Sequence, residues 1–178
     1  MAVLLTPIIL LLSVSIWALF NQGFDIGEDP MNRNFSNEQI ETFPAPEFSL
    51  KLFDGTNLNL SELQGRPAMV SFWSSWCPSC RLEAPVIVGM NHVYHEQGVQ
   101  FVGIAIWDSE EKAQKFAAEH QFEFPIGLDK SGTIAIDFGV TGLPEKFFLN
   151  RQGEIVKKLV GPVTKQQLEK VILSLIEE

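Results

Sequence analysis

The chain has 178 residues, of which 46% are hydrophobic and 20% charged, so it carries enough apolar side chains for one core of ordinary size. Its formal net charge of −9 argues against nucleic acid as a partner, because nucleic-acid phosphates repel an acidic surface. The two cysteines are too few for the multi-disulfide framework of small secreted proteins.

The N-terminal segment Ala2–Phe20 contains nineteen consecutive residues without a charge. As a helix it would be about 28 Å long, close to the ~30 Å hydrocarbon core of a bilayer. A buried core helix and a cleaved signal peptide are the alternatives, but the segment lacks the basic n-region and small-residue cleavage site of a signal peptide. We therefore expect an uncleaved transmembrane signal anchor over residues 1–20, with Trp17 suited to the membrane interface.

Residues 21–42 are polar and carry no clear period, so they predict a linker. Acidic residues outnumber the single basic residue, Arg33. Because basic residues are what retain a segment in the cytoplasm, this shortage of them permits translocation. We expect a single-pass cell-membrane protein whose folded domain, residues 43–178, lies on the periplasmic or extracytoplasmic side.

Strand and helix patterns alternate through the first half of this domain. Asp54-Gly55 separates two segments with period-two hydrophobicity, which predicts a β-hairpin. The apolar run "AMVSFW", ending at Trp73, predicts a buried strand that leads directly to the cysteines. The segment after Cys80 predicts a helix ending at Gly98.

The second half continues the alternation. "VQFVGIAIW" predicts a central strand, and the next segment a helix capped by Asp108 or Ser109. A short strand in "FPIGLD" and a turn or short helix in "SGTIAIDFGV" then lead to a hairpin around "RQG". Thr164 and Gln167 have the spacing of a capping box at the start of the last helix. This order predicts an α/β three-layer sandwich with a mixed central sheet.

Both cysteines, Cys77 and Cys80, lie in the sequence "WCPSC". A zinc site needs about four ligands, and only these two are clustered, so we expect no metal. Covalent haem attachment requires a histidine at the position that Arg81 occupies. A structural disulfide across two intervening residues would remove little entropy from the unfolded chain. A redox-active pair is the interpretation that remains.

The redox interpretation also has a positive mechanism. A strand followed by "WCPSC" and a helix places Cys77 at the helix N-terminus, where unpaired N–H groups and the helix dipole stabilise a thiolate. Cys80 lies one turn further on the same face, partly covered. We expect a reachable Cys77 to attack a substrate disulfide and Cys80 to resolve the mixed disulfide. The Cys77–Cys80 disulfide would then be the redox group, without an added cofactor.

The segments "LSELQGRPAMVSFWSSWCPSCRLEAP" and "AIDFGVTGLPEKFFLNRQGEI" resemble the thioredoxin superfamily, and the resemblance covers residues 43–178. They are most similar to the membrane-anchored TlpA/ResA/CcmG (DsbE)-like thiol-disulfide oxidoreductases of cytochrome c maturation. This resemblance implies a thioredoxin-like fold, a three-layer sandwich with a mixed central sheet and an added N-terminal β-hairpin.

The resemblance also implies substrate-binding residues. "GVTGLPEKFF" is similar to the cis-proline loop of this family, so Pro144 should follow a cis Leu143–Pro144 bond and face the dithiol. Glu145 matches an acid found after this proline; the alternative is a solvated loop acid. Trp76 is expected to line the substrate surface, whereas Trp73 is expected to pack in the core.

The resemblance assigns Glu83 to the catalytic site. It lies three residues after Cys80, hence on the same helical face, where a carboxylate would raise thiol pKa values and relay a proton. The alternative is an ordinary first-turn glutamate that complements the helix dipole.

The function implied is a reductase for the oxidised CxxCH pair of an apocytochrome c or another disulfide-containing protein, supplied with electrons by an integral-membrane thiol donor. The segment "GIAIWDSEEKAQKF" departs from the cytochrome-maturation pattern, which leaves a general extracytoplasmic disulfide reductase open. A thiol peroxidase and a non-catalytic peptide-binding module are further alternatives. Against the peroxidase, "FWSSWC" lacks the threonine of the peroxidatic motif.

Overall fold

A six-stranded mixed sheet organises the part of the chain that this computed structural model describes, residues 41–177. The strands of the sheet are β1 (Phe43–Pro44), β4 (Ala68–Trp73), β5 (Gln100–Ile106), β6 (Ile126–Asp129), β7 (Glu145–Leu149) and β8 (Glu154–Val160), while β2 (Ser49–Lys51) and β3 (Asn57–Asn59) form a separate antiparallel hairpin. The spatial order is β1-β8-β7-β4-β5-β6. Strands β4, β5 and β6 are parallel, and β7, β8 and β1 pair antiparallel.

Helices and the hairpin cover the two faces of this sheet and give the predicted three layers. The helices are α1 (Pro78–Tyr94), α2 (Glu110–Glu119), α3 (Thr133–Asp137) and α4 (Lys165–Glu177), and a 3-10 helix spans Leu60–Leu63. Side chains alternate along β4, so Met69 and Trp73 pack with α1, α2 and α4, whereas Val70 and Phe72 pack with α3 and the hairpin. The thioredoxin-like fold with a mixed sheet and an N-terminal hairpin is confirmed.

Helix caps follow the sequence signals in part. The Ser109 hydroxyl caps α2, and Thr164 and Gln167 form the predicted capping box of α4. Helix α1 begins at Pro78, because proline's fixed φ and missing N–H suit a first helical position, and Cys77 is its N-cap as predicted. The predicted end of α1 is wrong, because the helix ends at Tyr94 rather than at Gly98.

The predicted anchor, residues 1–20, lies outside the described residues, as do all but the last two residues of the predicted linker, 21–42. Within residues 41–177, no helix is both long and apolar enough to cross a bilayer. A short strand that the patterning did not indicate, β1, pairs with β8 through Phe43 and Ile155.

The hairpin approaches the edge strand β6 closely at Gly127. Leu52 forms an isolated bridge with Gly127, and the Phe53 N–H donates to the Ile126 carbonyl oxygen at 2.9 Å. A Cβ atom at position 127 would collide with the carbonyl oxygen of Lys51 and would lie 2.7 Å from Cγ of Leu50. The missing side chain therefore lets the hairpin dock on the sheet.

We expect Gly127→Ala to lower the free energy of unfolding by about 1–3 kcal/mol, because the added methyl group meets backbone and must push the hairpin away. Urea denaturation measures the change. Gly89→Ala is the matched control: apart from its chain neighbours and the backbone of its own helix, no atom lies within 4 Å of its Cβ position in α1, so a gain of about 0.5–1 kcal/mol is expected. Equal effects of the two substitutions would contradict the docking role of Gly127.

Candidate active site

The cysteine segment and the Leu143–Pro144 segment meet at one end of the two central strands, β4 and β7. Strand β4 ends at Trp73 and leads into the cysteines, while β7 begins directly after Pro144. Phe72 pairs with Glu145 in the β4–β7 register, so the end of one strand lies beside the start of the other. This pairing brings two segments that are more than sixty residues apart in sequence to the same place.

Cys77 and Cys80 form a disulfide at the start of α1, with their Cα atoms 5.3 Å apart. Cys77 is the N-cap residue, and its Sγ accepts a hydrogen bond from the Cys80 N–H at 3.2 Å. The Ser79 hydroxyl lies 3.3 Å from the same sulfur. The predicted position of Cys77 at a helix N-terminus is confirmed, and such a position favours the thiolate once the disulfide is reduced.

Both cysteines are buried in this disulfide state, each with 3% of its surface exposed. The expectation of a reachable Cys77 beside a covered Cys80 therefore does not describe the oxidised protein. The physical reason is that the disulfide and the N–H contact draw the Cys77 sulfur against the first turn of α1.

The Leu143–Pro144 bond is cis, as predicted. Pro144 is buried, and its carbonyl oxygen accepts a hydrogen bond from the Gly161 N–H at 2.8 Å. Leu143 is partly buried and packs against the cores on both faces of the sheet. The segment is thus fixed on both sides as it enters β7.

Glu83 is buried on the inner face of α1, with 4% of its surface exposed. Its Oε2 accepts hydrogen bonds from Lys146 Nζ at 2.6 Å and from the Val163 N–H at 3.0 Å. Glu83 and Cys80 line the same narrow internal cavity, which has room for about one water molecule. The alternative of a first-turn glutamate is wrong, because Glu83 lies beyond the first turn and away from solvent.

Lys146 is the residue of this site that the sequence analysis missed. It is fully buried, and its ammonium group also donates to the Gly161 carbonyl oxygen. Alternation along β7 places it on the same face as Phe148, toward α1 and Glu83. The signal that could have found it is a lysine that directly precedes the apolar residues "FFL" within a predicted strand.

Burial dominates the electrostatics of this pair. Loss of solvation raises the pKa of Glu83, and the Lys146 ammonium partly opposes that rise. Burial likewise lowers the pKa of Lys146, and the Glu83 carboxylate partly opposes that fall. Each partner therefore supports the charge of the other in an environment that disfavours both.

Glu145 is fully buried on the opposite face of β7. Its Oε1 accepts hydrogen bonds from the Thr141 N–H at 3.1 Å and the Thr141 hydroxyl at 2.6 Å, and Lys158 Nζ lies 3.1 Å from its Oε2. In this state its carboxylate holds the loop before Pro144 rather than facing solvent. A direct role in substrate binding stays a prediction.

The two tryptophans near the cysteines lie in different environments. Trp76 has 58% of its surface exposed, whereas Trp73 is 3% exposed and stacks on Phe116 with ring centroids 4.8 Å apart. The core position predicted for Trp73 is confirmed. A third tryptophan, Trp107, lies beside Trp76, and its carbonyl oxygen accepts a hydrogen bond from the Trp76 Nε1–H at 2.9 Å. No sequence pattern indicated that Trp107 would belong to this surface.

Comparisons with known proteins agree with this geometry. A sequence model of the AhpC/TSA family matches residues 43–158, which include both cysteines and Pro144. The chain is 27% identical to the thiol-disulfide oxidoreductase ResA of Bacillus cereus over 165 residues, 93% of this chain and 91% of that protein.

Two solved structures show the same fold. A Chlorobium tepidum protein assigned as the thiol:disulfide interchange protein DsbE has a TM-score of 0.73 at 31% identity, covering 77% of this chain and 98% of that one. A secreted Mycobacterium tuberculosis disulfide oxidoreductase homologous to DsbE has a TM-score of 0.65 at 26% identity, covering 72% of this chain and 96% of that one.

We expect Lys146→Met to lower the free energy of unfolding by about 3 kcal/mol, because it leaves the Glu83 carboxylate buried without its cation. The double variant Glu83→Gln/Lys146→Met should lose less than Lys146→Met alone, since no charge is then buried. Urea denaturation of both variants measures this. Lys115→Met is the control: it breaks an exposed pair with Glu119, for which about 0–1 kcal/mol is expected.

The pH dependence follows from the direction of the Glu83 shift. Its folded-state pKa lies above the ordinary value of 4.5, and removal of the Lys146 cation raises it further. A carboxyl group whose pKa is raised in the folded state contributes stability that is fully present below its ordinary, unfolded-state pKa. That stability is lost as the pH rises through the folded-state pKa. Stability of Lys146→Met should therefore fall more steeply above about pH 4.5 than that of the double variant. Parallel profiles for the two would refute the pairing.

Proposed function

The chain belongs to the AhpC/TSA family and is a thiol-disulfide oxidoreductase of the ResA/DsbE type, and from this premise we propose that it is a membrane-anchored reductant acting outside the cytoplasm. The proposed substrate is the oxidised CxxCH pair of an apocytochrome c, which must be a dithiol before haem attaches. The observation that carries the proposal is the position of the Cys77 sulfur against the Cys80 N–H at the N-terminus of α1.

The proposed reaction starts from the reduced dithiol. The Cys77 thiolate attacks one sulfur of the substrate disulfide, a mixed disulfide forms, and one substrate thiolate leaves. Cys80 then attacks the Cys77 sulfur, the mixed disulfide breaks, and the second substrate thiolate leaves. Two electrons have passed to the substrate, and the protein is left with the Cys77–Cys80 disulfide found in this structure.

Glu83 is proposed to take the proton from Cys80 before the second step. Both residues line the internal cavity, so a single water molecule in it would connect them. Two protein donors bind Oε2 of Glu83, which leaves Oε1 without a hydrogen bond to the described part of the chain. Because burial raises the pKa of this carboxyl, it accepts a proton more readily than an exposed glutamate would.

The membrane location and the electron supply rest on other observations. The charge-free segment Ala2–Phe20 supports an anchor, and the secreted relative from Mycobacterium tuberculosis supports an extracytoplasmic domain. An oxidising compartment does not regenerate a dithiol, so the proposal includes an integral-membrane thiol donor that returns two electrons to the disulfide. A general extracytoplasmic disulfide reductase is the broader form of the same proposal.

A thiol peroxidase is the competing enzymatic function. Its peroxidatic motif uses a hydroxyl three residues before the cysteine, the position that Ser74 occupies. The Ser74 side chain is fully buried, and its hydroxyl donates to the carbonyl oxygen of Ile106. That hydroxyl is therefore held within the protein, which supports disulfide exchange over peroxide reduction.

We expect the full-length protein to have a reduction potential nearer the ~−270 mV of thioredoxin than the ~−120 mV of a strong oxidant. Equilibration with glutathione buffers, followed by quantification of the alkylated dithiol, measures it. The reduced protein should also convert an oxidised CxxCH peptide to its dithiol in a single turnover, and Cys77→Ser should not. A potential near that of the oxidants would reverse the assigned direction, and rapid peroxide consumption would favour the peroxidase.

Glu83→Gln should lower the pKa of the Cys80 thiol by about one unit, because it removes a buried negative charge near that sulfur. The pH dependence of alkylation in the reduced protein measures the pKa. The control is Glu96→Gln, an exposed acid beyond the opposite end of α1, which should leave the thiols unchanged. If Glu83→Gln leaves the Cys80 pKa unchanged, Glu83 has no role in proton transfer.

A further inference from the structure

Two exposed tryptophans lie on loops that follow neighbouring parallel strands, and the first of them, Trp76, directly precedes Cys77. Trp76 follows β4 and Trp107 follows β5, and each has 58% of its surface exposed. Side chains of this size are normally buried for the most part, so two adjacent exposed ones call for an explanation.

Polar contacts fix the two loops relative to each other. The Trp76 Nε1–H donates to the Trp107 carbonyl oxygen at 2.9 Å. The Asp108 carboxylate accepts from the Ser75 N–H at 2.6 Å and from the Ser75 hydroxyl at 3.0 Å. Both indole rings are therefore carried by loops that are tied together, and they remain exposed despite this support.

Trp107 also has an unusual backbone conformation, with φ at 52°. This left-handed region is uncommon for a bulky residue without a special backbone requirement, and such residues cluster at binding and active sites. The conformation places a large apolar ring at the surface in the turn between β5 and α2. An Asn or Gly would adopt the same φ more easily, so the turn itself does not require tryptophan.

Beyond Trp107 a groove of about 230 Å³ runs toward α3. It includes Val140 and Ile136, and 75% of the Ile136 surface is exposed. Its two aspartates are already engaged: Asp108 binds Ser75, and Asp129 accepts from the Ala135 N–H at 2.9 Å and the Ser131 hydroxyl at 3.2 Å. With those carboxylates engaged inside the protein, the groove combines apolar contact from Trp107, Ile136 and Val140 with polar contact from Lys130 and Ser131.

We propose that Trp76, Trp107 and Ile136, here called the tryptophan rim, bind an extended polypeptide segment that carries the substrate disulfide and has apolar residues next to its half-cystines. This inference rests on the proposed function and names the substrate class for it. Trp76 precedes Cys77 in the chain, so a polypeptide whose sulfur reaches Cys77 must bring its neighbouring residues across the rim. Folded proteins bury such apolar neighbours, which makes an unfolded or extended segment the partner that fits.

A membrane surface is the other apolar partner that exposed tryptophans fit. Interfacial tryptophans direct the indole N–H toward water or headgroups. The Trp76 N–H instead binds the Trp107 carbonyl oxygen, which orients the ring by contacts within the protein. The position next to the dithiol therefore favours the polypeptide.

The test measures single-turnover second-order rate constants of the full-length, pre-reduced protein with three disulfides: 2-hydroxyethyl disulfide, a cyclic disulfide peptide with leucine beside each half-cystine, and the same peptide with serine there. Trp107→Asn, which keeps the positive φ accessible, should slow the leucine peptide about tenfold. The other two disulfides should change less than about twofold. Trp107→Phe should retain most of the rate, and Ile136→Asn should show the same selective loss.

Val93→Ser is the control, because Val93 is an exposed apolar residue near the opposite end of α1 and should leave all three rates unchanged. Equal slowing of all three disulfides by Trp107→Asn, or no slowing of any, overturns the rim as a recognition surface. Failure of the wild-type protein to reduce 2-hydroxyethyl disulfide overturns the proposed function instead. Membrane contact is tested with vesicles of acyl-brominated phosphatidylcholine, which quench tryptophan emission. The Trp107 emission is taken as the difference between the wild type and Trp107→Asn. Its quenching would assign the rim to the membrane and overturn the inference.

Discussion

A backbone N–H in the first turn of α1 donates a hydrogen bond to the Cys77 sulfur. The arrangement of the site depends on holding that turn at the end of the sheet where β4 terminates. The fully buried strand β4 leads directly to the cysteines at that end of the sheet, and Pro78 begins the helix at a position where no N–H donor is needed. The β4–β7 register then brings Pro144 to the same end. Three segments with weak individual preferences become one site because the sheet holds them together.

Strand β7 carries charge into both faces of the core directly after the cis-proline. Lys146 meets Glu83 on the α1 face, while Glu145 meets Lys158 on the face toward α3. A buried ion pair rarely stabilises a fold more than apolar residues of similar volume would, because desolvation offsets the attraction. Stability alone therefore does not account for the Glu83–Lys146 pair. Its position beside the cavity that also contains Cys80 fits the proposed proton transfer.

Local signals allowed much of this structure to be predicted. The apolar run of β4, the hairpin turn at Asp54-Gly55 and the Thr164 cap all act between residues a few positions apart. The helix N-terminus at Cys77 followed from the same kind of signal, whereas the cis bond before Pro144 came from resemblance to a family.

The features that the sequence did not reveal are non-local. Glu83 and Lys146 are 63 positions apart and meet only because the docking of α1 and the phase of β7 place both on one face. Strand β1 has two residues, including a proline, and is a strand only because β8 lies beside it. Trp107 is the last residue of the apolar run predicted as a central strand, but β5 ends at Ile106, so the run did not indicate that the Trp107 ring would be exposed.

The proposed recognition and the proposed proton transfer are on different sides of the disulfide. The tryptophan rim lies at the surface, on the loops that follow β4 and β5 and on α3, whereas the Glu83–Lys146 pair is enclosed between α1 and β7. A polypeptide crossing the rim would displace water from the surface over the dithiol without contacting the Glu83–Lys146 pair. Because less water would then screen the charges, the electrostatic influence of the pair on Cys80 would become stronger. On this arrangement, side chains of the rim could change the range of substrates while the charges beneath the dithiol continue to set the thiol pKa values.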